Sequence, residues 1–225
     1  MAKKVFIGVG HGGSDPGAVA NGLKEKNLNL VIALAAADEL ERNGVDVLVS
    51  RVADDDETLT EKIGEANSWG PNLALDIHCN AGGGDGAEVF YSIDGSGKDL
   101  ALNILEEFKA IGQNSRGAKT QKNSQGKDYF AFIRNTTAPA VLVECAFLDN
   151  KTDVQIIDTE AEQKKFGVAI AKGILKSLGV AWKEPEPEPE KVYYRVQVGA
   201  YAFRENAEAM LKKLKAAGFE GYIRT

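Results

Sequence analysis

A chain of 225 residues is long enough for one well-cored domain and a small second unit. Its hydrophobic content of 44% is ample for a core, and a formal net charge of −6 without a basic stripe argues against nucleic acid as a partner. No apolar run approaches the ~20 residues of a membrane span, so no membrane insertion is expected.

The opening Met1-Ala2-Lys3-Lys4 leads straight into a strand at residues 4–9. It has neither the apolar stretch nor the small-residue cleavage site of a signal peptide, so synthesis in the cytoplasm is expected, with action on an outside target only after release. A helix follows from about Lys24 to Asn43, with Leu28, Val31, Ile32, Ala35, Ala36 and Leu40 at helical spacing and Asn43-Gly44 as its stop. Val45–Val49 reads as the next strand. Thr58 or Thr60 can cap a helix running to Trp69, where Gly70-Pro71 ends it. A strand at 73–78 and another at 88–92 precede a helix at about 98–111. Residues 113–128, rich in Gln, Asn, Ser, Lys and Gly, read as a long loop. The apolar strand Ala140–Val143 ends at Glu144, and a last helix at about 160–178 carries Phe166, Ile170, Ile174 and Leu175 on one face.

Repeated β-α-β units with near-continuous apolar strands predict an α/β fold with a mostly parallel sheet sandwiched by helices. Glu184-Pro185-Glu186-Pro187-Glu188-Pro189-Glu190 is a Pro-Glu repeat, expected to be an extended spacer. It divides the chain into a body at 1–181, a linker at 182–190 and a tail at 191–225.

The chain has two histidines, and each stands at a predicted strand exit: His11 after Val5–Gly10, His78 after Leu73–Ile77. Ligands of open α/β sheets bind beyond the carboxyl ends of the strands, and imidazole is the commonest protein ligand for zinc. A catalytic zinc site takes three protein ligands and keeps a position open for water. Candidate acids for the third ligand are Asp15, Glu25, Asp54 to Asp56, Asp76, Asp85, Glu88 and Glu144, and spacing alone does not choose among them. No His-Glu-x-x-His is present, which excludes a helix-borne zincin site. Glu25 at a helix start can simply face the helix dipole. Glu144, following four apolar strand residues, is costly to place there unless paired, metal-bound or catalytic. Cys79 and Cys145 each follow one of these residues. They read as small reduced packing residues; the alternative of a Cys nucleophile paired with His78 is weakened because neighbours on a strand point to opposite faces.

Gly10-His11-Gly12-Gly13-Ser14-Asp15-Pro16-Gly17-Ala18 followed by Leu23-Lys24-Glu25 resembles the opening of the zinc-dependent N-acetylmuramoyl-L-alanine amidases of the Amidase_3 type. Ser50-Arg51, Ala66-Asn67, Asp76–Ala81 and Pro139–Asn150 recur in the order of that family's later motifs, over about residues 3–180. The resemblance implies an α/β sandwich around a six-stranded sheet, zinc on His11, Glu25 and His78, and Glu144 as catalytic base. The implied reaction is hydrolysis of the amide joining the lactyl group of N-acetylmuramic acid to L-alanine of the peptidoglycan stem peptide. Asn80 and Arg134 are candidate substrate contacts, against a strand-end turn for Asn80 and surface solvation for Arg134.

In the tail, Tyr193–Tyr201 alternates like a strand, Asn206–Ala217 is amphipathic with Ala207, Met210, Leu211 and Leu214 on one side, and Tyr222-Ile223 begins another strand. This resembles the first β-α-β half of a SPOR domain, which implies binding to glycan strands of peptidoglycan. Half of such a domain exposes an apolar helix face and sheet edges, so either the domain is cut short here or the half completes itself by pairing with a second chain as a homodimer; an isolated monomeric tail is expected to be poorly ordered or non-binding. The whole chain thus resembles a phage endolysin or an autolysin. The rivals are another zinc amide hydrolase, carboxypeptidase-like, and a non-catalytic wall-binding protein.

Overall fold

The structure is a computed structural model that describes residues 2–185 and 196–224. It separates into two units, divided between Glu184 and Pro185.

The first unit is built on a six-stranded sheet in the order β4-β1-β5-β8-β6-β7. Its strands are β1 Lys4–Val9, β4 Asp46–Val49, β5 Leu73–Asn80, β6 Ala87–Tyr91, β7 Ser115–Lys119 and β8 Ala140–Phe147. A hairpin of β2 Val19–Ala20 and β3 Leu23–Lys24 stands apart. β1, β4, β5 and β8 run parallel, whereas β6 and its neighbour β7 run the other way. The N-terminal ends of β6 and β7 therefore lie at the same sheet edge as the carboxyl ends of β1, β5 and β8.

The two faces of the sheet are covered unequally. Val5, Ile7, Val9, Leu75, Ile77, Cys79, Val141, Val143 and Cys145 pack under α1 Glu25–Arg42, α3 Lys98–Ala110 and α6 Glu160–Leu178. On the other face a smaller cluster joins Phe6, Ala74 and Ala140 to Ala66 of α2 Leu59–Trp69 and Phe132 of α4 Ala131–Asn135, with Leu48, Ile63 and Trp69 partly buried against it. Side chains alternate along a strand, so this thinner face also carries Asp76, His78, Glu144 and Glu88. Both cysteines are free and buried in the thicker core, as expected of packing residues.

Capping boxes at Thr58 with Glu61 and Thr159 with Glu162 start α2 and α6, and Gly70 and Gly179 end them in left-handed conformation. Of the two caps weighed for α2, the structure uses Thr58.

Three expectations are corrected. The stretch 113–128 contains strand β7, whose Ser-Arg-Gly-Ala-Lys sequence lacks strand character because it forms a half-exposed sheet edge. β8 does not stop at Glu144 but continues to Phe147, and β5 likewise passes His78 to reach Asn80. In the tail, α7 Arg204–Ala216 forms as read, but no strand flanks it among residues 196–224. A strand needs a partner for its backbone, and no described tail strand offers one. Residues 186–195, including most of the Pro-Glu repeat and Tyr193 to Arg195, lie outside the described residues.

Candidate metal centre

The chain around His11 is fixed before its imidazole can be. His11 adopts φ 60°, a left-handed conformation that costs a non-glycine residue about 1–3 kcal/mol and persists only where the surroundings impose it. Arg51, 4% exposed, imposes it by donating to the carbonyls of Gly10, His11, Lys26 and Ala53. Lys26 adds a 2.7 Å bond to the carbonyl of Gly13.

Glu25, the first residue of α1, lies between the two histidines. Its Oε2 is 3.1 Å from His11 Nε2 and its Oε1 is 2.9 Å from His78 Nδ1. The backbone N–H groups of Ala18 and Cys79 donate to the same carboxylate, as does Asn29 Nδ2 at 3.3 Å. The helix-dipole role is therefore secondary: this carboxylate faces two imidazoles. One donor atom from each of His11, Glu25 and His78 lies within 4.8 Å of the others.

Each imidazole turns its other nitrogen to a second carboxylate. Asp15 Oδ2 is 2.7 Å from His11 Nδ1, and Asp76 Oδ2 is 3.4 Å from His78 Nε2. Carboxylates in these positions fix the tautomer and ring orientation of a metal-ligating histidine. Asp76 is itself buried and held by Lys62 Nζ at 3.0 Å. Both acids stood among the unassigned candidates of the sequence. The signal that singles out Asp76 is its place two residues before His78, on the same face of one strand.

The charges follow from this packing. Burial works to raise the Glu25 carboxyl, but hydrogen bonds from His11 and His78 hold it well below the usual range. Burial disfavours charge on His78, yet Asp76, Glu25 and Glu144 push it up to about 10. Hydrogen bonding to Glu25 raises His11 as well, against its own burial. The metal-free site is thus a carboxylate between two imidazoles that both favour protons, and a divalent cation can replace those protons.

Glu144 sits directly opposite His78 in the β5–β8 register and opposite Glu88 in the β8–β6 register. His78, Glu144 and Glu88 therefore form one row across three strands. Glu144 Oε2 is buried and has no hydrogen-bond partner among the described residues. Burial pushes its carboxyl up to about 7 against the pull of His78, with lesser repulsion from Glu25, Glu88 and Asp76. A carboxylate so poised exchanges protons near neutrality.

Asn80 stands at the end of β5, where its Oδ1 accepts from the N–H of Ala81 in a strand-end turn. Arg134 donates to the carbonyls of Asp128 and Tyr129 and so holds the loop after β7. The other quoted motifs support the frame: Asn67 bonds Asn135 and Thr137, tying α2 to the chain after α4, and Asp149 and Asn150 pin the glycines at 82–84 beside the site.

Comparison with known proteins agrees with this fold. The profile of the Amidase_3 family, described as N-acetylmuramoyl-L-alanine amidase, matches residues 5–176, and that of the SPOR domain matches 171–225. The chain is 35% identical over 225 residues to the N-acetylmuramoyl-L-alanine amidase CwlM of Bacillus licheniformis, covering 98% of this chain and 84% of that one. It is 32% identical to the endolysin of Bacillus phage SPP1 over 85% of this chain and 72% of that one. The catalytic domain of CwlV, an N-acetylmuramoyl-L-alanine amidase from Bacillus (Paenibacillus) polymyxa var. colistinus, superposes with a TM-score of 0.72 at 32% identity over 80% of this chain and 99% of that one. The match of the Amidase_3 profile over most of the first unit, with relatives at this level of identity, settles the family: this chain belongs to the Amidase_3 family of N-acetylmuramoyl-L-alanine amidases and carries a SPOR domain at its C-terminal end.

Proposed function

We propose that this amidase holds zinc on His11, Glu25 and His78 and uses Glu144 as its general base. The observation that carries the reading is the buried Oε2 of Glu144, without a hydrogen-bond partner among the described residues and one strand away from His78 and its metal-capable partners. Two neutral imidazoles and one carboxylate, with an orienting acid behind each imidazole, suit zinc with a coordination position left open. Zinc held by these three residues would supply a Lewis acid for the scissile carbonyl and would lower the pKa of water from about 15.7 toward 7.

The chain's own groups do the rest. Asp15 and Asp76 orient the imidazoles, and Glu25 is oriented by Ala18, Cys79 and Asn29. Glu144 accepts the proton of the attacking water at its free Oε2 and then delivers that proton to the departing nitrogen of L-alanine. A carboxyl near neutrality suits both transfers. The lactyl group leaves as a carboxylic acid and the stem peptide leaves with a free amine. Asn80, one alternation beyond His78 on the same strand face, remains the nearer candidate for substrate contact. Arg134 supports the loop instead.

The test is Glu144→Gln. The variant should keep metal and wall binding and lose turnover by about 10²–10⁴-fold. Mass spectrometry of digested peptidoglycan reads the product as stem peptides with a free L-alanine amine beside intact glycan. Shortened stems with the lactyl amide intact would instead identify a peptidase. An E144Q protein that turns over normally would remove Glu144 from the mechanism.

The tail binds the wall as a SPOR domain. We infer that it does so as a pair of chains, because α7 buries none of its residues while Ala207, Met210, Leu211 and Leu214 line one side.

A further inference from the structure

The edge of the sheet that carries the site has opposite charge at its two ends. Beyond His11 lies a cleft of about 360 Å³ lined by His11, Gly12, Asp15, Asp56, Glu57, Thr58 and Glu61. Beyond Glu144 the row continues to Glu88 on β6, and there two cations of the edge strand β7 close on it. Arg116 Nε donates to Glu88 Oε1 at 3.0 Å, and Lys119 Nζ donates to Glu88 Oε2. One carboxylate thus meets two cations. Arg116 lies over the ring of Phe147 at 5.1 Å, a cation–π contact that helps hold its planar fork in place. Its terminal nitrogens hydrogen-bond no described residue. The Arg116 and Lys119 side chains are 39% and 34% exposed, while Glu88 is 7% exposed.

We propose that Arg116 and Lys119 form the subsite for a carboxylate of the stem peptide, so that the peptide arm of the substrate crosses β6 and β7 and the glycan arm lies toward β1. The proposal rests on the amidase reading above and adds a direction to it. Charge decides that direction. The glycan is neutral near the scissile bond and the stem peptide is anionic, so the peptide is repelled by the carboxylates beyond His11 and attracted by the surplus cation beyond Glu144.

Reach agrees with the same assignment. Strands are spaced about 4.8 Å apart, which puts Glu88 on β6, where Arg116 and Lys119 converge, about 10 Å from His78 on β5. An extended peptide advances about 3.5 Å per residue, so the second stem residue lies about 7 Å from the scissile amide. That residue, a glutamate joined through its side chain, carries a free α-carboxylate that completes the span. A terminal carboxylate next to the cleaved bond would fall short, which separates this subsite from that of a carboxypeptidase. Arginine also matches a carboxylate's two oxygens.

The experiment compares soluble glycan-tripeptide fragments whose second residue carries either the free α-carboxylate or its primary amide, cleaved by the zinc-loaded full chain. Wild type should prefer the acid by about tenfold or more in kcat/KM, with the difference mainly in KM. The double variant R116Q/K119Q should lose that preference, and R116K/K119R should retain part of it. Removing both cations strands a buried Glu88, so E88Q/R116Q/K119Q is made alongside, and it too should show no preference. Equal cleavage of both fragments by wild type, or a preference that survives in the triple variant, would overturn the subsite alone. Failure of wild type to release an L-alanine amine from either fragment would sink the amidase reading, and the subsite with it.

Discussion

Gly10 is where a single methyl group tests the assembly of the site. A Cβ added there would stand 2.3 Å from His78 Cε1, 2.5 Å from Nδ1 and 2.6 Å from Nε2. Gly10 is not among the residues with positive φ, so its backbone accepts alanine and the whole effect is steric. Ordinary contact requires the imidazole to retreat by about 1 Å. That ring is held between Glu25 at 2.9 Å and Asp76 at 3.4 Å, so it cannot retreat without breaking one of them. A functional constellation tolerates about 0.5 Å of error, and loss of an orienting partner costs about 10–100-fold in metal affinity. Gly10→Ala should therefore weaken zinc binding by about 100-fold, or about 2.7 kcal/mol, with turnover on peptidoglycan falling accordingly. Overpacking should lower global stability by about 1–3 kcal/mol without unfolding the domain. Gly64→Ala is the control: it sits in α2 with nothing within 4 Å of the added carbon and should be neutral or slightly stabilising. Competition titration of the metal-free proteins with a zinc chelator measures the affinities, and thermal unfolding followed by circular dichroism measures the stabilities. If G10A bound zinc within threefold of wild type and kept its turnover, His78 would not be the ligand placed here.

Two further outcomes follow from the same coordinates. Because His78 is pushed up to about 10 in the metal-free protein and must be neutral to bind a metal, zinc binding at pH 7 should release about one proton from it, and apparent affinity should fall as pH is lowered; calorimetry in buffers of different ionisation enthalpy reads this, and zero net release would refute the charge state. The tail pairing should appear in sedimentation equilibrium as self-association of the full chain that is lost in Met210→Glu/Leu214→Glu, whereas a monomer that binds glycan as well as wild type would refute it.

Much of the site was legible because its residue types are rare and costly where they stand. Two histidines in 225 residues, both near strand ends, and a glutamate after four apolar strand residues are informative before any coordinates. The helices at 25–42 and 160–178 were read closely from apolar spacing, since each lays one face on the core. β7 was not legible, because an edge strand that presents Arg116 and Lys119 outward need not look apolar. The tail strands were expected from alternation alone, but a strand exists only when another strand satisfies its backbone, and that is not a local property.

The sequence by itself determined the chemistry available: which side chains can ligate a metal, which acid is misplaced unless functional, and which motifs stand in family order. The tertiary structure decided how they are used. Only the register of β5, β8 and β6 places His78, Glu144 and Glu88 in one row. Only the fold of the Gly10–Gly17 loop onto Arg51 brings Glu25 between two imidazoles that are 67 residues apart in the chain. Ligand geometry and desolvation are set by neighbours distant in sequence, so residue identity states the candidates and packing selects among them.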